Sequence, residues 1–143
     1  MGFQADCRAA AVDLLKDYAA DAEIKLQVYP ARPRTIYPPT AFIDGIRESI
    51  TLTGITLHQR TPTVDVIYIH GLYDSADAAE AKDAFADGFV AWVIDNYHAA
   101  GANTLIAPTE LEDLPTYVND WMPPEQQNTY YATRISLEGY AQN

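Results

Sequence analysis

The 143-residue chain has one cysteine, Cys7, and fewer than half as many basic as acidic side chains. A single cysteine excludes an intrachain disulfide, and with it the small secreted disulfide scaffold. No segment approaches the roughly 20 consecutive apolar residues that a membrane helix needs. Nine Lys and Arg against twenty Asp and Glu give a formal net charge of −11. That is the wrong sign for neutralising phosphates, so neither tight nucleic-acid binding nor adsorption to an anionic membrane surface is expected. A wall that repels DNA is still compatible with a conduit through which DNA slides. The start "MGFQADCRAA" lacks a basic stretch before an apolar run, so no signal peptide is expected, and the protein is expected in a reducing cytoplasm. The phosphate-cradling loops G-x-x-x-x-G-K-[ST] and G-x-G-x-x-G are absent, as is the D-x-D-x-D-G loop of an EF-hand.

Hydrophobic residues make up 48% of the chain, enough for one core, and no linker or repeat divides it, so residues 1–143 read as a single domain. Residues 4–20 place Ala11, Leu14, Leu15 and Tyr18 on one helical stripe. "EIKLQVY" reads as a short strand with Ile24, Leu26 and Val28 on one face. Four prolines in "PARPRTIYPP", residues 30–39, then leave a stiff extended arm carrying Arg32, Arg34 and Tyr37. "TAFIDGIRESI" alternates imperfectly, with Phe42 and Ile46 flanking Asp44 on one face. "GITLHQ" and "TVDVIYIHG" read as two strands joined at "RTP", with Pro62 near the turn. The run Val66 to Ile69 suits a central strand covered on both faces.

A long helix is predicted after "HGLYDS", capped by Asp74 or Ser75 and stopped at Gly101, with Ala78, Ala81, Phe85, Phe89, Trp92 and Val93 as its stripe. "TLIAPTEL" reads as a strand and "EDLPTYVNDWMPPEQQN" as an irregular segment. "TYYATRISLEGY" alternates cleanly, with Tyr131, Thr133, Ile135 and Leu137 opposing Tyr130, Ala132, Arg134, Ser136 and Glu138. The expected order is α-β-β-β-β-α-β-β: an α+β fold whose mostly antiparallel sheet packs against two helices on one face.

The strand-then-His-Gly pattern of "VDVIYIHGLYDS", Val64 to Ser75, is how many α/β-hydrolases build part of an oxyanion hole. A hydrolase also needs a nucleophile elbow, G-x-S-x-G, and none of Ser49, Ser75 and Ser136 lies in one. The simpler reading is that His70 ends a strand and Gly71 lets the backbone turn into a capped helix. His58, His70 and His98 are scattered without close-spaced partners, so no metal site is expected. Cys7 reads as a small buried side chain with no base nearby. No catalytic residue and no cofactor follow from these patterns.

What stands out is where aromatic residues and prolines fall. Tyr29 and Tyr37 bracket the first proline arm, and Tyr117 lies near Trp121 in the second. Tyrosine and tryptophan in extended segments favour protein contacts, because they bury much area at little entropic cost. The competing reading is that both arms fold back over their own sheet and cover its open edge.

The succession of an N-terminal helix, "VYPARPRTIYPPTAFIDGI", "ITLHQRTPTVDVIYIHG", "SADAAEAKDAFADGFVAWVIDNY" and "YYATRISLEGY" resembles the tail terminator (tail completion) family of long-tailed bacteriophages, the minor tail protein U-like group. The resemblance covers nearly the whole chain and rests on architecture and segment style, since the family has no strict signature motif. It implies a non-enzymatic virion protein of the neck region, assembled in the host cytoplasm. Six copies would close a homo-hexameric ring on the tail tube, end its polymerisation and dock on the head-tail connector. The implied partners are further copies of the chain, the major tail tube protein and the connector or adaptor proteins, with genomic DNA passing through unbound. The segments matching the family's contact loops are Pro30–Pro39 and Asp113–Asn128. Within them Arg32, Arg34, Tyr37, Tyr117 and Trp121 are the expected interface residues, with a neighbour's carboxylate as the expected partner of Arg32 and Arg34. A head-completion or neck adaptor protein, which tends to be more helical, is the alternative within the same assembly. A small hydrolase using His70 is the alternative outside it.

Overall fold

The structure, a computed structural model, describes residues 3–54, 57–96 and 104–141. Along the chain run α1 (Phe3–Asp21), β1 (Gln27–Tyr29), β2 (Thr40–Thr53), β3 (Leu57–Leu72), α2 (Ala76–Asn96), β4 (Thr104–Val118), a short 3-10 turn (Pro124–Gln126) and β5 (Thr129–Ala141). The strands form one sheet in the order β1-β2-β3-β5-β4. Only the β1–β2 pair is parallel, and β2–β3, β3–β5 and β4–β5 are antiparallel. This is the expected α+β class, with both helices on one face of a mostly antiparallel sheet.

Alternation along β3 decides the layering. Val64, Val66 and Tyr68 point to the helices, where they pack with Ala41, Ile43, Ile135 and Leu137 against Leu14, Leu15 and Tyr18 of α1 and Phe85, Phe89 and Val93 of α2. Ile67 and Ile69 point to the opposite face and join Phe42, Tyr130 and Ala132 in a second, smaller core. The strand is therefore buried on both sides, as its continuous apolar run predicted. The helix-side core is sewn together by rings. Tyr18 meets Phe89 edge to face at 5.1 Å and Phe85 at 5.8 Å, geometries that add to simple area burial.

The ends of the helices follow from local chemistry. At the C-terminus of α1, Glu23 takes a positive φ of 57°. Its N–H reaches the Ala20 carbonyl while that of Ile24 reaches back to Ala19, which is a Schellman closure with Ile24 tucked onto the core. That closure uses residues 22–24, so β1 is shorter than the alternation in "EIKLQVY" predicted, although Ile24, Leu26 and Val28 do share the helix-side core. At the start of α2, Ser75 Oγ accepts from the Ala78 N–H at 3.3 Å, the cap the sequence predicted. The predicted stop at Gly101 lies outside the described residues.

Three expectations about strands are corrected. "GITLHQ" and "TVDVIYIHG" are not two strands with a turn at "RTP": residues 57–72 are one strand, so three strands, not four, precede α2. The turn lies instead between Thr53 and Leu57, which close the β2–β3 register, with Gly54 at φ 89°. Pro62 falls one residue beyond the last β3–β5 pair, Thr63 with Glu138, where one flank of the strand has no ladder to break. Secondly, Phe42 and Ile46 do not share a face. A bulge at Asp44 shifts the register, sending Phe42 into one core and Ile46 to the other. Thirdly, residues 112–118 are not irregular but the second half of β4. Their proline is tolerated because β4 is an edge strand and Pro115 sits in a register break between Leu114 and Tyr117.

Gly71 has a different purpose from the one its neighbours suggested. It does not adopt a positive φ; a Cβ there would lie 2.9 Å from the Cβ of Ala78. The residue lets the first turn of α2 lie directly on β3.

Candidate functional site

The two proline-bearing arms meet on the helix-free face. Trp121 Nε1 donates to the Pro33 carbonyl at 3.0 Å, its ring stands edge-on to Phe42 at 5.3 Å, and Tyr117 lies 6.4 Å away. Arg32 places its guanidinium 5.2 Å from the Trp121 ring centre and pairs with Asp44 at 3.0 Å. Arg8 of α1 holds the start of the arm by donating to the Pro30 carbonyl. Burial pushes the Tyr117 phenol up, with Asp44 adding to the effect. Three of the five predicted interface residues, Arg32, Tyr117 and Trp121, are thus gathered in one intrachain cluster. The carboxylate on Arg32 is the chain's own Asp44, not a neighbour's. The other two, Arg34 and Tyr37, stay exposed, Tyr37 at 66%.

Asn119, which the sequence reading passed over, organises the second arm. It is 1% exposed, donates to the Gln126 carbonyl and accepts from the Asn128 N–H at 2.7 Å. A buried asparagine inside a proline-flanked loop is a common pinning device, and its position between "YV" and "DW" was the available signal.

Beyond the arms the same face turns polar. Asp44, Arg47, Asp65, Glu110, Glu112, Arg134 and Ser136 line a shallow cleft of about 390 Å³. Arg47 grips Asp65 through two nitrogens at 2.8 and 3.1 Å, and Arg134 pairs with Glu112 at 2.8 Å. Ser136 Oγ donates to that same Asp65 at 3.2 Å. The serine therefore sits on a carboxylate already held by an arginine, with no histidine on it. Ser75 is engaged as a helix cap, and Cys7 is buried with its thiol pushed up to about 11 by desolvation first and by Asp6 and Glu48 after it. Among the described residues no group of three His, Cys, Asp or Glu side chains is arranged to hold a metal. His98 lies outside the described residues.

His70 occupies a register break between Ile69 and Gly71. It is 7% exposed, with Nε2 2.8 Å from Thr133 Oγ1 and its ring 4.8 Å from that of Tyr68. Burial, followed by the nearby Lys82, pulls its pKa down to about 4. The side chain is therefore neutral at pH 7 in the folded state, while the unfolded chain protonates near 6.5. The unfolded state binds more protons between those two values, so stability is complete above pH 6.5 and falls as the pH drops towards 4. The loss across this window is about 3 kcal/mol. His70→Gln is expected to flatten urea midpoints measured from pH 7 to pH 4, whereas an unchanged slope removes His70 as its source.

On the helix side, next to His70, is a cleft of about 700 Å³, walled in part by Pro38, Pro39, Leu72, Ala78 and Ala81. Its rim belongs to a wider pattern. Tyr37, Leu72, Tyr73 and Val118 are large exposed hydrophobics. They fall together because Thr40 Oγ1 donates to the Tyr37 carbonyl, Tyr73 bonds to Thr129, and Val118 pairs with Thr129. Two more, Ile50 at 62% and Leu52 at 76% exposed, sit at the far end of the β2–β3 hairpin. From Glu48 to Thr53, and from Leu57 to Pro62, that hairpin has no third strand on the β3 side. Exposed apolar side chains thus stand at both ends of the hairpin, with Ile94 in the last turn of α2, 56% exposed, as a further one among the described residues. Single exposed hydrophobics need no explanation, but clustered ones mark contact surfaces. The sequence reading ended the strand at Ile50, so it missed Leu52 and gave Ile50 no part in a surface.

No helix among the described residues is long and apolar enough to cross a membrane. In comparison with known proteins, the chain matches no protein-family model and no curated protein.

Proposed function

We propose that this chain is a structural virion protein, a tail terminator whose copies join head to tail into a ring that caps the tail tube and links it to the head connector. The observation that carries the reading is the presence of exposed apolar side chains at both ends of the β2–β3 hairpin, Ile50 and Leu52 at one and Tyr37, Leu72 and Tyr73 at the other. A surface with two different sticky ends makes heterologous contacts, and such contacts close into rings when the rotation permits. Six copies are what the family resemblance implies. The acidic balance of −11 suits a passage that must not hold DNA. The two helices contain 19 and 21 of the 143 residues, well under half, which favours a terminator over the more helical neck adaptors. A hydrolase built on His70 has less support, because that ring is buried and its described hydrogen-bond partner is an equally buried threonine.

The test is to add the purified chain to assembled tail tubes and image their ends. The expected result is ring density at one end of each tube and a halt to elongation. Bare ends and continued growth at saturating protein overturn the reading.

A further inference from the structure

We propose that the helix-side cleft binds a small neutral molecule with an apolar body and a hydrogen-bond-accepting oxygen, held at its inner end by the hydroxyls of Tyr18 and Tyr68. The inference is independent of the ring reading above. Both tyrosines line the cleft beside His70 and Phe85. Tyr68 is 2% and Tyr18 6% exposed, yet neither hydroxyl has a hydrogen-bond partner among the described residues. No fully enclosed side-chain nitrogen or oxygen among those residues lacks a partner. The two hydroxyls are therefore not sealed in the core; they reach the cleft that their side chains line. Nor can the rings swing away to find partners. Tyr68 lies 4.4 Å from Phe85, and Tyr18 meets Phe85 at 5.8 Å and Phe89 at 5.1 Å. A hydroxyl buried without a partner is a net cost to folding, so phenylalanine would serve the core at least as well. Two such hydroxyls on one cleft point to a ligand that completes them.

The rest of the cleft sets the class of ligand. Its volume of about 700 Å³ falls within the roughly 300–1,000 Å³ of small-molecule sites, which combine mostly apolar walls with a few placed polar groups. Pro38, Pro39, Ala78, Ala81 and Ala84 supply such walls, and they have almost no side-chain freedom to lose when the cleft fills. Among the described residues that line it, Asp77 alone is formally charged, and it is exposed. Burial raises the phenols of Tyr18 and Tyr68, so both stay protonated at pH 7, where His70 is neutral. A charged ligand would find no opposite charge at the inner end, and leaving one unpaired there is costly. A carboxylate would also have to approach a chain of net charge −11 past Asp77. A neutral oxygen avoids both penalties and accepts from the phenols, as that of a ketone, amide or ether does.

The experiment follows alanine methyl resonances of the full-length chain by NMR as acetophenone is added, with ethylbenzene, benzoate and benzylamine as comparisons. Ala78, Ala81 and Ala84 report on the cleft. Acetophenone is expected to give saturable shifts at these methyls and to bind at least about threefold more tightly than ethylbenzene, which lacks the oxygen. Benzoate and benzylamine are expected to bind at least about tenfold more weakly than acetophenone. Tyr68→Phe is expected to weaken acetophenone about threefold to tenfold, to leave ethylbenzene unchanged, and to leave the urea midpoint unchanged or higher. Ala81→Leu, at an exposed position on the wall, is expected to block both neutral compounds in a protein that still folds. A cleft that holds only water gives no saturable shift with any compound, which overturns the proposal. Equal affinities for acetophenone and ethylbenzene, or tighter binding of either charged compound, also overturn it. So does a Tyr68→Phe midpoint that falls, since the hydroxyl then has a partner within the chain. Shifts of the same methyls with protein concentration alone assign the cleft to a second copy and overturn it as well. None of these outcomes bears on the tube-end assay.

Discussion

Gly139→Val is expected to destabilise the protein by about 3 kcal/mol or more, near the upper end of what overpacking costs. Gly139 is buried in β5. A Cβ built there would stand 2.6 Å from Cys7 Sγ and 3.2 Å from Pro62 Cγ. Neither neighbour can step aside cheaply: Cys7 is a short side chain fixed to α1, and Pro62 has a closed ring. Relief requires α1 to lift from the sheet, exposing part of the core under Ala11 and Leu14. Intrinsic strand preference predicts the opposite sign, since valine is favoured over glycine by up to about 1 kcal/mol. The direction of the change therefore separates packing from propensity. Urea denaturation should show a lower midpoint with an unchanged slope. In a Cys7→Ala background the same substitution is expected to cost markedly less, because the nearest atom has gone, and the double-mutant cycle measures that coupling. Equal costs in both backgrounds locate the clash elsewhere.

Gly139 also shows where the sequence was legible and where it was not. Periodicity placed Leu14, Leu15 and Tyr18 on the buried stripe of α1, and Ile135 and Leu137 on the helix face of β5, because each pattern reports one face of one element. It also found the two-sided burial of Val66 to Ile69. It could not find that β5 passes so close to α1 that only glycine fits, since that depends on three elements meeting. Prolines misled in a consistent way. Pro62 and Pro115 suggested a turn and a loop, yet each lies in a strand at a point where pairing is interrupted or one-sided. The register breaks at Asp44 and His70 were invisible for the same reason: a bulge changes which face a residue meets without changing the composition around it. Of the candidate site, the sequence picked out the aromatic and basic residues of the arms but not which way they turn.

That orientation divides the arm residues into two groups. Arg32, Tyr117 and Trp121 bind the arms to their own sheet, filling the space that a sheet with helices on one face leaves uncovered. Arg34, Tyr37 and the hairpin side chains Ile50 and Leu52 remain available to another molecule. The stiffness of the first arm then has a purpose even without direct contact. With Trp121 clamping Pro33, Pro38 and Pro39 are held as one wall of the helix-side cleft. Shaping the cleft and remaining exposed are thus assigned to different residues of one short segment.

Trp121→Ala tests this division. The substitution is expected to cost about 3–4 kcal/mol, the range for deleting a large packed aromatic ring. It removes the edge-to-face contact with Phe42 and the hydrogen bond that joins the two arms. By contrast, Arg32→Ala should cost about 1 kcal/mol or less, because the Arg32–Asp44 pair is half exposed and the stacking of an exposed cation adds only a fraction more. Trp121→Phe should retain most of the packing and lose mainly the hydrogen bond, about 1 kcal/mol. Limited trypsin digestion gives a local readout. Arg34 precedes Thr35 and is open to cleavage, whereas Arg32 precedes Pro33 and is protected by that bond. Releasing the clamp should speed cutting after Arg34 while circular dichroism still reports a folded sheet. A Trp121→Ala protein of unchanged stability and unchanged digestion would instead make the ring a contact for another molecule, as the sequence alone suggested.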